Sequence, residues 1–180
     1  MVSENIIIRK STFNECEMFT KWEQQGYVKE FLTINIERTY EEVVREFVLR
    51  EQDSSNEQYT IMLKSMKPIG RIYLSKISKE SDSMDITRIY IGEKDCLGKG
   101  YGKEVMELLL DYCFNGLKME RVTLDHYTGN SAANLYLKLG FVYEGIMRKA
   151  AKRDNEFFDL HLMSILKEDY EKNIWNFQKK

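Results

Sequence analysis

The sequence predicts an α/β (α+β) fold built on one central mixed sheet. Three observations carry that reading. The elements run strand, two helices, several strands, then two helices alternating with strands. Val105, Leu108, Leu109, Tyr112 and Cys113 recur at helical spacing directly after a strand and a glycine-rich stretch. Asp154-Asn155 stands between two β-rich runs, where it can turn a long hairpin. With no internal repeat, low-complexity tract or dividing linker, residues 1–180 are expected to form a single domain.

Taken in order, Ile6 to Arg9 reads as a first strand. Thr12 and Glu15 have the spacing of a capping box, so a helix is expected from Thr12 to Gln24, stopping near Gly26. Thr39 and Glu42 repeat the pattern ahead of a helix over Tyr40 to Glu51, and Asp53 to Asn56 is a polar loop. Gln58 to Leu63 and Ile69 to Leu74 form two strands joined through Lys67-Pro68, which holds the only proline. Lys79 to Ser83 is loop-like, and Asp85 to Ile91 is rich in strand formers. The helix that follows stops at Asn115-Gly116, and Val122 to Leu124 is another strand. Asn130 can cap a shorter helix whose apolar face is Ala132, Leu135, Tyr136 and Leu139, with Gly140 at its end. Phe141 to Ile146 and Phe157 to Leu166 are strands, and the tail after Lys167 reads as a helix or a frayed end.

Composition narrows the function classes. Hydrophobic residues make up 43% and charged residues 31%, as in a soluble globular chain. No apolar run is long enough to span a bilayer, and Met1 to Asn5 lacks the features of a secretion signal. Cys16, Cys96 and Cys113 are odd in number and lack Cys-x-x-Cys spacing, so neither a disulfide framework nor a metal site is expected, and a cytoplasmic location is. The net charge of −2 is spread over interspersed signs, so neither nucleic acid nor membrane is an expected partner.

Gly98, Gly100 and Gly102 alternate between a strand and a helix. Such a loop lets backbone approach a ligand closely, and the following helix N-terminus offers free N–H groups to phosphate. A nucleotide P-loop would need Gly-Lys followed by Ser or Thr, but Gly100 follows Lys99. The dinucleotide fingerprint needs Gly-x-Gly-x-x-Gly, which the spacing here does not give. A turn without a ligand stays open on the loop alone.

Further residues single out one family. The run Asn130-Ser131-Ala132-Ala133-Asn134-Leu135-Tyr136-Leu137-Lys138-Leu139-Gly140-Phe141, continuing to Glu144-Gly145, resembles a signature of the GNAT acetyltransferase superfamily. Leu97 to Gly102 is similar to that family's Gln/Arg-x-x-Gly-x-Gly/Ala acetyl-CoA signature, and Asp85 to Ile91 to its Glu-Leu-x-Arg-Leu-Tyr-Val strand. The resemblance is firm over Asp85 to Glu144. The segment from Glu144 through Arg148 and Phe158-Asp159 to Met163 is similar to the branch with ribosomal-protein N-terminal and polyamine acetyltransferases. Leu97 departs from the family's Gln or Arg, and one extra residue lies between Ile91 and Gly98.

The resemblance implies a mostly antiparallel central sheet flanked by helices, with acetyl-CoA as cosubstrate and no metal. It implies a primary amine as acceptor: a small amine, a polyamine, an aminoglycoside or a protein N-terminus. A homodimer is compatible with it, and the competing reading is a non-catalytic acyl-CoA-binding or regulatory module. The implied cofactor contacts are Ile89, Tyr90 and Ile91 through their backbone, the loop residues Leu97, Gly98, Lys99, Gly100, Tyr101 and Gly102, and Asn130. Acetyl transfer needs a neutral amine, donors for the developing oxyanion and a proton for the departing thiolate. Tyr136, a phenol protonated at neutral pH, suits the last task, although its spacing also fits simple packing. Asp85 is the candidate acceptor of the amine proton, directly or through water, and it equally fits a solvated strand end. Trp22, Tyr27 and Phe31 fall where the family places its acceptor wall. His126, His161 and Cys96 read as structural.

Overall fold

The computed structural model describes residues 1–30, 32, 38–153 and 155–178. Strand β1 (Ile6–Lys10) leads through a 3-10 turn (Phe13–Glu15) into α1 (Cys16–Glu23), α2 (Gly26–Lys29) and α3 (Tyr40–Glu51). Strands β2 (Glu57–Leu63), β3 (Pro68–Ser78) and β4 (Ser83–Ile91) follow. A second 3-10 turn (Lys94–Cys96) precedes α4 (Tyr101–Asp111), which continues as a π turn over Tyr112–Gly116. Then come β5 (Arg121–Tyr127), α5 (Ala133–Lys138), β6 (Val142–Arg153), β7 (Glu156–Leu166) and α6 (Lys167–Gln178).

The strands form one seven-stranded sheet in the order β1-β2-β3-β4-β5-β7-β6. Every neighbouring pair is antiparallel except β4–β5, which is parallel, so the sheet is mixed as expected. A wholly parallel dinucleotide-binding sheet is excluded by this order.

Local chemistry explains most boundaries. At α3, Glu42 N–H donates to Thr39 Oγ1 at 3.3 Å and Thr39 N–H donates to Glu42 Oε2 at 2.9 Å, closing the anticipated capping box. The first helical stretch stops where expected, with Gln24 capping α1, but Gln25 is extended and Gly26 opens a further short helix, α2. Pro68 does not sit in a turn but begins β3, where its missing N–H costs no ladder bond. β6 runs to Arg153, well beyond the expected Ile146, and Arg153 pairs with Glu156 across the hairpin end. Asn155 there has φ 64°, and Asp154 lies outside the described residues.

The sheet separates two apolar layers. On one face Val105, Met106, Leu109 and Leu110 of α4 pack with Met84, Ile86, Val122 and Leu124. Each such side chain contributes about 2 kcal/mol of burial. The buried stripe thus takes in Met106 and Leu110, while Leu108 and Tyr112 are only partly covered. On the other face Cys16, Phe19, Trp22, Val43 and Phe47 join α1 to α3.

A buried ion network fixes these helices to the sheet. Glu23, 1% exposed, accepts from Arg71 at 2.8 Å, Arg38 at 2.9 Å, Arg88 at 3.1 Å and the Tyr90 hydroxyl at 3.1 Å. Glu46 pairs with Arg88 at 2.9 Å, with Arg50 at 2.7 Å and with Arg38. Arg71, fully buried, also rests over the Phe19 ring at 4.4 Å. Burial opposes the charge on Glu46, but the guanidinium groups of Arg88, Arg50, Arg38 and Arg71 outweigh it and hold the carboxyl at about 2 instead of 4.5. Because the folded state lowers this pKa, its stabilisation is fully present above about pH 4.5 and is lost as pH falls towards 2. That shift amounts to about 3 kcal/mol. Chemical denaturation at pH 6 and pH 3 should therefore show a marked loss at the lower pH, and the Glu46→Gln variant should lose less over the same interval.

Candidate active site

The site grows from a fork in the sheet. β4 and β5 pair only at Ser83–Arg121, Met84–Val122 and Asp85–Thr123. From Ile86 to Ile91 the β5-facing edge of β4 has no ladder partner. A bulge produces the divergence: Leu74 pairs with Ile86 and Tyr73 with Arg88, leaving Thr87 as the extra residue. The bulge also changes which side chains face which layer. Met84 and Ile86 before it, and Ile89 and Ile91 after it, pack towards α4, while Arg88 and Tyr90 turn to Glu23.

A cavity of about 580 Å³ opens through this fork. Of the residues anticipated from sequence, Ile89, Tyr90, Ile91, Leu97, Gly98, Gly100, Tyr101, Gly102, Asn130 and Tyr136 line it together. Lys99 is exposed and does not line it. Gly98 and Gly100 have φ of 72° and 84°, the left-handed conformation that glycine alone adopts without strain. A Cβ built on Gly98, Gly100 or Gly102 would meet nothing within 4 Å, so the loop borders free space. The first bonds of α4 are donated by Lys103 and Glu104 to the Gly100 carbonyl, at 3.0 and 3.3 Å. The N–H groups ahead of them have no hydrogen-bond partner among the described residues, and the helix dipole adds positive potential. In this cradle, free N–H groups at a helix N-terminus suit an anion without a basic side chain, and Leu97 stands here in place of the family's Gln or Arg.

Filling the cradle should abolish the fit. Gly100→Val is expected to weaken acetyl-CoA binding at least about tenfold by calorimetry, because a β-branched side chain is strained at this φ and occupies the free space. Unchanged affinity in a folded variant would remove the loop from the phosphate site.

Asn130 caps the approach to α5, its side-chain oxygen accepting from Ala132 N–H at 2.9 Å. That places Tyr136 with its ring buried against Phe141 and His126, at centroid distances of 5.9 and 6.1 Å. The Tyr136 ring belongs to the core, and the residue also lines the cavity; its hydroxyl has no hydrogen bond among the described residues. Burial, reinforced by the Asp125 charge, pushes the phenol up to about 12, so it stays protonated.

Asp85 is not the solvated strand end that the sequence also allowed. It forms the last rung of the fork, is 6% exposed and does not line the cavity. Its Oδ1 accepts from the Thr87 hydroxyl at 2.7 Å and its Oδ2 from Thr123 at 2.8 Å. Each oxygen accepts one threonine hydroxyl, which argues against direct contact with an amine and leaves a relay through water. Asp125, two residues further along β5, lines the cavity instead. Strand alternation was the signal: with Val122 and Leu124 in the core, Thr123 and Asp125 share the opposite face.

Tyr27, Val28 and Leu32 also line the cavity, and the Tyr27 hydroxyl donates to the Gly92 carbonyl at 2.7 Å. Trp22 is packing: it is buried and donates to Glu93 at 2.9 Å. Phe31 lies outside the described residues. Cys96 lines the cavity, but burial, followed by the Asp95 charge, raises its pKa and keeps it a thiol.

Residues 5–142 match the family described as Acetyltransferase (GNAT) domain. The chain belongs to the GNAT acetyltransferase family. This GNAT chain is 23% identical over 176 residues to an uncharacterized N-acetyltransferase of Bacillus licheniformis, covering 94% of the chain and 97% of that protein. It is 31% identical over 70 residues to the L-amino acid N-acetyltransferase AaaT of Escherichia coli, covering 38% and 43% respectively. In structure it resembles the spermidine N-acetyltransferase from Vibrio cholerae, solved in complex with CoA and spermine. That likeness has TM-score 0.83 at 20% identity, over 92% of this chain and 98% of that one. The acetyltransferase assignment and the flanked, mostly antiparallel sheet therefore stand, and among the described residues no helix is long and apolar enough to cross a membrane.

Proposed function

We propose that this GNAT domain binds acetyl-CoA in the fork between β4 and β5 and transfers its acetyl group directly to a primary amine. One observation carries the reading: an unpaired strand edge, a left-handed glycine cradle and Tyr136 share a single cavity. The cradle N–H groups hold the pyrophosphate. The free edge of β4 from Ile86 to Ile91 pairs with amide groups of the pantetheine arm, as an added strand would. A backbone N–H near Ile91 polarises the carbonyl that is attacked. Tyr136 protonates the departing sulfur. The thioester supplies the activated acetyl group, and no acyl-cysteine is required.

The acceptor enters along Tyr27, Val28 and Leu32. A polyamine, another small amine, an aminoglycoside and a protein N-terminus all present the required nitrogen. The relatives that act on spermidine and on L-amino acids make those two classes the first to test. Acetyl-CoA should raise the thermal midpoint by binding the folded state, and NAD and ATP should do so far less. Spermidine, L-amino acids and an alanyl peptide should then be compared by CoA release. Equal stabilisation by NAD, or CoA release with none of these amines, would contradict the proposal.

A further inference from the structure

We infer that Asp125, not Asp85, takes the proton from the acceptor amine. The inference rests on the proposed acetyl transfer and adds its missing base.

Position is the first support. The β4–β5 ladder ends at Asp85–Thr123, so Asp125 is the next residue on the same face of β5 inside the open fork. It lines the cavity together with Tyr136, Tyr27, Val28 and Leu32. The reacting centre of a bound thioester lies among those residues if Tyr136 serves its sulfur.

Availability is the second support. Asp85 has both oxygens engaged by threonine hydroxyls, whereas Asp125 has no hydrogen bond and no ion pair among the described residues. A carboxylate with free lone pairs, exposed to the cavity, can accept a proton and can attract an ammonium group beforehand.

Electrostatics agrees with the geometry. The packed cavity walls desolvate Asp125 and the Asp85 charge adds to that, raising its pKa; Lys76 of β3 and His126 of β5 act the other way. Tyr136 of α5, protonated, faces it without charge. Two carboxylates with different surroundings thus divide their tasks. Asp85 ties the fork together and lends its charge, and Asp125 handles the proton.

The balance closes. Between ammonium and amide the nitrogen loses two protons. As the nitrogen–carbon bond forms and the carbon–sulfur bond breaks, the Tyr136 proton passes to sulfur. One nitrogen proton goes through Asp125 to solvent, and the second returns through water to Tyr136. No oxidant or further reactant is needed.

The experiment uses the full chain with Asp125→Asn and Asp125→Glu, acetyl-CoA and spermidine, an L-amino acid or an alanyl peptide as acceptor. Single-turnover rates of the Asn variant should fall about 10²–10⁴-fold at neutral pH, with unchanged acetyl-CoA affinity and melting. That deficit should shrink roughly tenfold per pH unit towards the acceptor's own pKa, about 10 for an alkyl amine such as spermidine and about 8 for a peptide N-terminus, since free base then reaches the site unaided. The Glu variant should recover part of the rate. Independently of activity, a carbon-13 titration of the Asp125 carboxyl, assigned by its loss in the Asn variant, should show a midpoint above about 3.9. A wild-type rate in the Asn variant, a deficit that ignores pH, or a midpoint at or below the ordinary value would each overturn the inference while leaving acetyl transfer intact. A wild-type protein that acetylates none of the three acceptors would overturn both.

Discussion

Replacing Tyr136 with Phe is expected to lower the single-turnover rate of acetyl transfer about 10²–10⁴-fold, while acetyl-CoA affinity stays at the wild-type value. The substitution keeps the ring, which packs on Phe141 and His126, and removes only a hydroxyl with no partner among the described residues. Loss of an unpartnered hydroxyl leaves no buried group unsatisfied, so the melting midpoint should hold. A departing thiolate without a nearby donor must instead take its proton from water. Single-turnover measurement matters because slow product release would mask the chemical step in kcat. An unchanged rate would remove Tyr136 from the reaction and leave it a core residue.

The second large effect concerns stability. Glu23→Gln keeps the shape of the side chain but leaves Arg38, Arg71 and Arg88 facing a neutral group in a buried setting. Breaking a buried ion pair by neutralising one partner costs about 3–5 kcal/mol. For a chain of this size that corresponds to a fall of about 10 °C in Tm. The matched control is Glu17→Gln, whose partner Lys21 is exposed, and it should leave the midpoint essentially in place. A Glu23→Gln protein as stable as the wild type would show that these three guanidinium groups are held by packing and Glu46 alone. The effect also reaches the site, because Arg88 and Tyr90 bond to Glu23 and line the cavity.

What the sequence made legible was governed by short-range rules. The ends of α3 follow from Thr39, Glu42 and the apolar spacing, and the structure places that helix over the same residues. The glycine cradle was readable because positive φ and free space leave a mark on residue type. Tyr136 was singled out by the resemblance of Asn130 to Phe141 to the family's signature, since its spacing alone fits simple packing. The features that escaped depend on partners distant in sequence. Glu23 and Arg71 are separated by 48 positions, and no local pattern announces that they meet. The Thr87 bulge changes no residue type, yet it decides that Arg88 and Tyr90 face α1. Asp85 matched a family position, but its role depends on Thr123 of the neighbouring strand. Asp125 gave a faint sign in the alternation of β5, which gains meaning only once the fork is seen.

The most direct test of the account is a joint measurement of CoA thiol release and acetylated product in one reaction of wild-type protein, acetyl-CoA and spermidine, an L-amino acid or an alanyl peptide. The account predicts that at least one of these amines drives release, that acetylated amine forms in equal amount, and that Gly100→Val and Tyr136→Phe each suppress both signals. Acetyl-CoA that binds without either signal appearing for any of the three amines would contradict it.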